Sequence, residues 1–186
     1  MDLVGEGVKL TPGGRLPRVV VPRVQERYPQ WSYSDGPASL GDDLPPLAAL
    51  HELLRQVGPL RIRNGKLAPT RAVADDTEII RRLRSWFAPS TGFVPVLVDH
   101  AVALIAAEGP QVVDDVAERL LTHLGGRWAT GDGRPLDRFA VRHNLWSLLP
   151  TLAGLDLIET PDHSWHAGPS ALWLLPRAKA LSHLGV

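Results

Sequence analysis

Leu60-Arg61-Ile62-Arg63-Asn64-Gly65-Lys66-Leu67 is the stretch on which the fold turns. Apolar and basic residues alternate before Asn-Gly, and Asn and Gly both tolerate the positive φ of a type I′ turn, so the stretch predicts a two-stranded β-hairpin. Immediately upstream, Leu47, Leu50, Leu53, Leu54 and Val57 recur at helical spacing. They predict a helix from about Leu44 to Val57 with one apolar face, stopped by Gly58 and Pro59. The unit is an amphipathic helix that feeds a small hairpin.

The same order returns further along. From about Leu136, the residues Phe139, Leu145, Leu148, Leu149 and Leu152 suggest an apolar helix face, with Gly154 ending the helix near Pro150. A strand Leu155 to Glu159, a turn Thr160-Pro161-Asp162-His163 and a returning strand Ser164 to Ala167 follow.

Other helices are expected at Arg15 to Tyr28, Val96 to Glu108, Val112 to Leu124, Thr77 to Phe87 (a bridge) and Ala178 to Leu184. Pro22 sits inside the first of these, where it suits an opening turn or a kink. Trp31 to Asp43, rich in Ser, Gly, Asp and Pro, reads as a loop, and Ser90 to Gly92 as a boundary. Three stretches, Leu10 to Arg15, Leu67 to Arg71 and Leu174 to Ala178, each read as a strand end passing through proline into a helix start.

Composition narrows the class. In 186 residues, 44% are hydrophobic and 22% charged, which is ordinary globular usage. The absence of cysteine excludes disulfides, thiolate zinc sites and a cysteine nucleophile, and points to a cytoplasmic address. Met1 to Thr11 lacks the basic start and apolar run of a secretory signal. Phe93 to Ala107, the longest apolar stretch, contains Asp99 and His100 and is too short to span a bilayer, so no membrane partner is expected. Twenty basic residues balance twenty acidic ones, yet residues 1 to 92 hold 13 and 10, and residues 93 to 186 hold 7 and 10. A polyanion should therefore prefer the N-terminal half.

The runs Gly7-Val8-Lys9-Leu10-Thr11-Pro12-Gly13-Gly14-Arg15-Leu16-Pro17 and Leu60 to Thr70 resemble segments of uncharacterised actinobacterial proteins. Some of those resemble the C-terminal part of the Ri-plasmid open-reading-frame-three-like family. The resemblance covers most of the chain in order of elements and implies tandem winged-helix units with no assigned activity. The chain departs from the pattern at Thr70-Arg71 and Ala178-Lys179, which lack the glycine present at Gly14. The fold expected is mainly α with small β-hairpins, an α+β protein of two winged-helix-like units, 1–89 and 90–186.

The first hairpin carries the strongest functional signal. Arg61, Arg63, Lys66 and Arg71 bring four positive charges with no acid among them, as a wing that grips phosphates requires. The alternative is a solvated hairpin whose arginines pair with Asp75, Asp76 and Glu78. Base readout would need donors on the helix before each wing. The second helix offers Arg138, Arg142, His143 and Asn144, but its wing holds Asp156, Glu159 and Asp162. A partner-binding patch around Trp165 and Trp173 is the competing reading, against burial of most of the six tryptophans.

No catalytic apparatus is legible: there is no Gly-rich phosphate loop, nucleophile elbow or zinc-protease helix. His163 and His166 lack the further ligands zinc requires unless His143 or Asp162 joins them. The expectation is a non-enzymatic protein without metal or cofactor. It would be a regulatory or accessory nucleic-acid binder, or an adaptor for another protein chain or a second copy of itself.

Overall fold

A computed structural model describes residues 7–33, 36–88 and 92–182. The chain divides into two compact units, Met1–Trp86 and Phe87–Val186. No described helix is long and apolar enough to cross a membrane.

The first unit runs β1 (Val8–Lys9), α1 (Val21–Arg27), α2 (Pro45–Gln56), β2 (Leu60–Arg63), β3 (Lys66–Pro69) and α3 (Asp76–Phe87). Asn64 and Gly65 have φ of 52° and 70°, the left-handed pair that the hairpin turn demands. A two-stranded hairpin was expected here, but β1 pairs antiparallel with β3 and makes a three-stranded sheet in the order β1-β3-β2. Helix α1 is also shorter than Arg15 to Tyr28. Thr11 to Arg15 form a tight turn with Gly14 at φ 75°, and Pro22 lies in the first turn of a helix that opens only at Val21.

The end of α2 is held by α3. Gly58, at φ 94°, breaks the helix, and Arg82 of α3 donates from Nη1 to the Val57 carbonyl at 3.0 Å. Thr70 Oγ1 donates to the Gly58 carbonyl at 2.8 Å, so carbonyls left over at the helix terminus find partners. The predicted loop 31–43 follows on a 3₁₀ turn, Pro29–Trp31, contains a second, Gly41–Asp43, and buries Trp31 against the Tyr28 ring at a centroid distance of 4.4 Å. Ser34 and Asp35 of that loop lie outside the described residues.

The second unit runs α4 (Phe93–Glu108), β4 (Gln111–Val112), α5 (Val113–Leu124), α6 (Arg138–Gly154), β5 (Ile158–Glu159), β6 (Ser164–Ala167), α7 (Ala171–Leu174) and α8 (Pro176–Ser182). Here too a third strand joins the hairpin, in the order β4-β6-β5. Asp137 caps α6 by accepting from the Ala140 N–H at 2.7 Å. The expected strand from Leu155 shrinks to two residues because α6 runs to Gly154 and Asp156 then turns the chain at φ 53°.

Of the three proline-led helix starts, only the last precedes an α-helix. Pro176 opens α8 but follows α7 rather than a strand, Pro69 leads into a 3₁₀ turn at Arg71–Ala74, and Pro12 lies in the turn before Arg15. The expected unit boundary at Ser90 and Thr91, and the helix residues 183–184, fall outside the described residues.

The core of the second unit centres on α4, whose Leu97, Val98, Ala101, Val102, Ala103, Leu104 and Ile105 are buried. The buried stripe of α6 is Val141, Leu145, Leu149 and Leu152, each three or four residues from the next. Phe139, expected on that apolar face, falls off the stripe and is 74% exposed.

Candidate nucleic-acid interface

Strand register arranges the basic residues of the first unit. Arg61 and Arg63 are two apart on β2, so they share one face of the sheet. Arg63 stands directly opposite Lys66 of β3, and Lys66 stands opposite Lys9 of β1. Lys9, Lys66 and Arg63 therefore form one row across all three strands, with neighbouring Cβ atoms about 5 Å apart by ordinary sheet geometry. Arg61 sits on the same face, opposite Ala68. Val8, Leu67, Ile62 and Leu60 take the other face, where Leu60 and Leu67 are buried. All four cations are exposed.

Like charges directly across a ladder are destabilising, and neutralisation by nearby acids is the usual remedy. Among the described residues it does not occur here. Glu78, expected as a partner of the hairpin arginines, instead receives two hydrogen bonds from Arg81, at 2.7 and 2.8 Å, and one from Arg82 at 2.6 Å. Those bonds hold its carboxyl down at about 2. Asp75 is occupied at the start of α3, accepting from the Thr77 N–H at 2.9 Å. Among the described residues no ion pair links Lys9, Arg61, Arg63, Lys66 or Arg71 to a carboxylate. Arg71 is exposed but lies beyond the sheet, in the 3₁₀ turn Arg71–Ala74.

Lys9 was missed by the sequence reading. The alternation Val8-Lys9-Leu10 carries the signal, but two residues are too short a run to predict a strand.

The helix before this hairpin keeps its polar groups to itself. On α2, Glu52 accepts from Arg55 at 3.0 Å and from Gln56 at 3.1 Å. Arg138 and Arg142, expected on the corresponding surface of the second unit, are likewise engaged. Asp114 of α5 lies 3.2 Å from Arg138 and 3.5 Å from Arg142, and Glu118 lies 3.8 Å from Arg138. The second hairpin stays acidic. Its Asp162 accepts from the Ser164 N–H and pairs with His166 at 3.0 Å, which holds the carboxyl below its ordinary range. Neither His163 nor His143 completes a ligand set with them: among the described residues no three His, Asp or Glu side chains gather to hold a metal.

Of the two tryptophans expected to meet a partner, Trp173 is 55% exposed, whereas Trp165 is wholly buried on β6. Trp165 packs edge-on against Trp146, with ring centroids 6.2 Å apart. Trp146 belongs to an aromatic face of α6. Phe139, His143 and Trp146 fall four and three residues apart on one helix face, with Phe139 and His143 stacked at 6.3 Å and Trp146 46% exposed. No protein-family model, curated protein or solved structure matches the chain.

Proposed function

We propose that the chain is a non-enzymatic regulatory or accessory nucleic-acid binder that holds phosphates on the sheet of its first unit. The observation that carries this reading is the unneutralised row Lys9–Lys66–Arg63, extended by Arg61. A row of like charges that no described carboxylate neutralises costs stability, and an anionic partner supplies the counter-charge.

Element order supports reading both units as winged helices on a repeated plan. Each has a short strand, two helices and a hairpin, with the first strand paired to the last: β1-β3-β2 and β4-β6-β5. In that reading β2 and β3 are the first wing and α2 and α6 are the helices before the wings.

Binding would be largely independent of sequence. Phosphate contacts position a protein, whereas base-edge contacts specify a site. The donors of α2 are spent on Glu52, and Arg138 and Arg142 on α5. Fluorescence anisotropy with a labelled duplex at low salt tests the proposal. Arg61→Glu with Arg63→Glu is expected to weaken binding at least tenfold, and unchanged affinity would end it.

A second reading, a protein-interaction adaptor, draws support from the Phe139–His143–Trp146 face and the exposed Trp173. Aromatic side chains displayed on a helix are frequent anchors of protein interfaces. Light scattering of Phe139→Ser and the parent chain tests self-association through that face.

A further inference from the structure

The first unit contains a cavity of about 210 Å³ between α1, α2 and the inner face of the sheet. Its walls are mostly hydrocarbon, from Val20 just before α1, Val24 of α1, Leu47, Leu50 and Leu54 of α2, and Leu67 of β3. The three leucines of α2 are only half-buried, since their free side faces this space. An apolar cavity of roughly 150 Å³ is known to stay dry and take up benzene, so this one is large enough for a ligand of about ten heavy atoms.

Beside the rings of Tyr28 and Trp31, two basic side chains interrupt the hydrocarbon, and among the described residues no acid does. Arg27 lines the cavity yet is exposed, which puts it at the mouth. Its guanidinium lies 5.9 Å from the centroid of the Tyr28 ring, and among the described residues no carboxylate pairs with it. His51 also belongs to the wall, and its Nε2 is buried without a hydrogen-bond partner. Burial and neighbouring Arg55 hold that imidazole below its ordinary pKa, so it is neutral at pH 7 and Arg27 alone supplies full charge.

From this arrangement we infer that the cavity is a binding site for a small apolar carboxylic acid, its chain between α1 and α2 and its carboxylate on Arg27. Fixed hydrocarbon walls with one or two polar groups are the usual make-up of a small-molecule site. A planar guanidinium donates two parallel hydrogen bonds to a carboxylate, an arrangement that an alcohol of the same length does not form. The inference stands apart from the nucleic-acid proposal, because it uses the opposite face of the sheet.

Calorimetric titration of the full chain at pH 7.5 with octanoate, and separately with octanol, tests it. Octanoate is expected to bind at least tenfold tighter than octanol. Arg27→Gln, a change at an exposed residue, should erase that preference and leave octanol binding unchanged. Leu50→Phe, which fills the cavity, should weaken both ligands. The inference is overturned if octanoate shows no saturable binding, if its preference over octanol survives Arg27→Gln, or if a folded Leu50→Phe protein binds both ligands at full strength.

Discussion

Arg63 and Lys66 face each other across the first hairpin with no described carboxylate in salt-bridge range of either. Stability and binding then make opposite demands on this pair. Arg63→Glu replaces a like-charge pair by an opposite one and should raise unfolding stability by about 0.2–1 kcal/mol in urea denaturation. The same change should lower affinity for duplex DNA. Loss of both stability and binding would show that Arg63 serves the hairpin rather than a ligand.

A buried acid in the second unit sets a pH dependence. Asp99 of α4 is 4% exposed, and burial pushes its carboxyl up to about 6, only partly offset by Arg177 of α8 at 3.5 Å. Its Oδ2 has no hydrogen bond. Because the folded value is raised, folding favours the protonated form. The resulting stabilisation is complete below about pH 4, the ordinary carboxyl range, and is lost as pH rises through about 6. Asp99→Asn removes this titration. Relative to the parent chain, its stability should climb by about 2 kcal/mol between pH 4 and pH 7.5, the part of a roughly two-unit shift that titrates within that range. A difference that stays flat across that range would refute the assignment.

Close backbone approach leaves Gly168 no room for a side chain. A Cβ on Gly168 would lie 2.1 Å from the Asp156 carbonyl oxygen, where α6 turns into β5. Gly168→Ala should therefore cost about 2 kcal/mol or more, since backbone has to move. Gly13 has open space around its Cβ position, and Gly13→Ala should stay within about 0.5 kcal/mol. Thermal melts of the two variants check the contrast.

On α6 the buried stripe predicts an asymmetry between two large apolar residues. Leu145 is fully buried and Phe139 is 74% exposed. Leu145→Ala should cost about 2–5 kcal/mol, and Phe139→Ala less than about 0.5 kcal/mol. Equal losses would place Phe139 in the core.

What the sequence revealed about the fold was local. Asn64-Gly65 announces its turn because the backbone angles belong to those two residues, and the helices 44–57, 96–108 and 112–124 repeat apolar residues over enough turns to be seen. Strands β1 and β4, two residues each, have no period to display and exist only through partners on β3 and β6. Lys9 joined the basic row unseen for that reason. Arg138 and Arg142 were visible as arginines, but the acids that engage them come from α5, a separate helix. Trp165, expected on a displayed patch, is wholly buried with its ring edge-on to Trp146 of α6, a contact between two elements distant in sequence that no local pattern announces.

The proposed function rests on phosphates being held by a few cations of one sheet, and the salt dependence of binding measures that number most directly. Each phosphate contact contributes nearly one unit to the slope of log affinity against log salt, so Lys9, Lys66, Arg63 and Arg61 predict a slope of roughly −3 to −4 for duplex DNA. Lys9→Ala and Lys66→Ala should each reduce its magnitude by about 1. A parent chain whose affinity is independent of salt, or variants that leave the slope unchanged, would contradict the account.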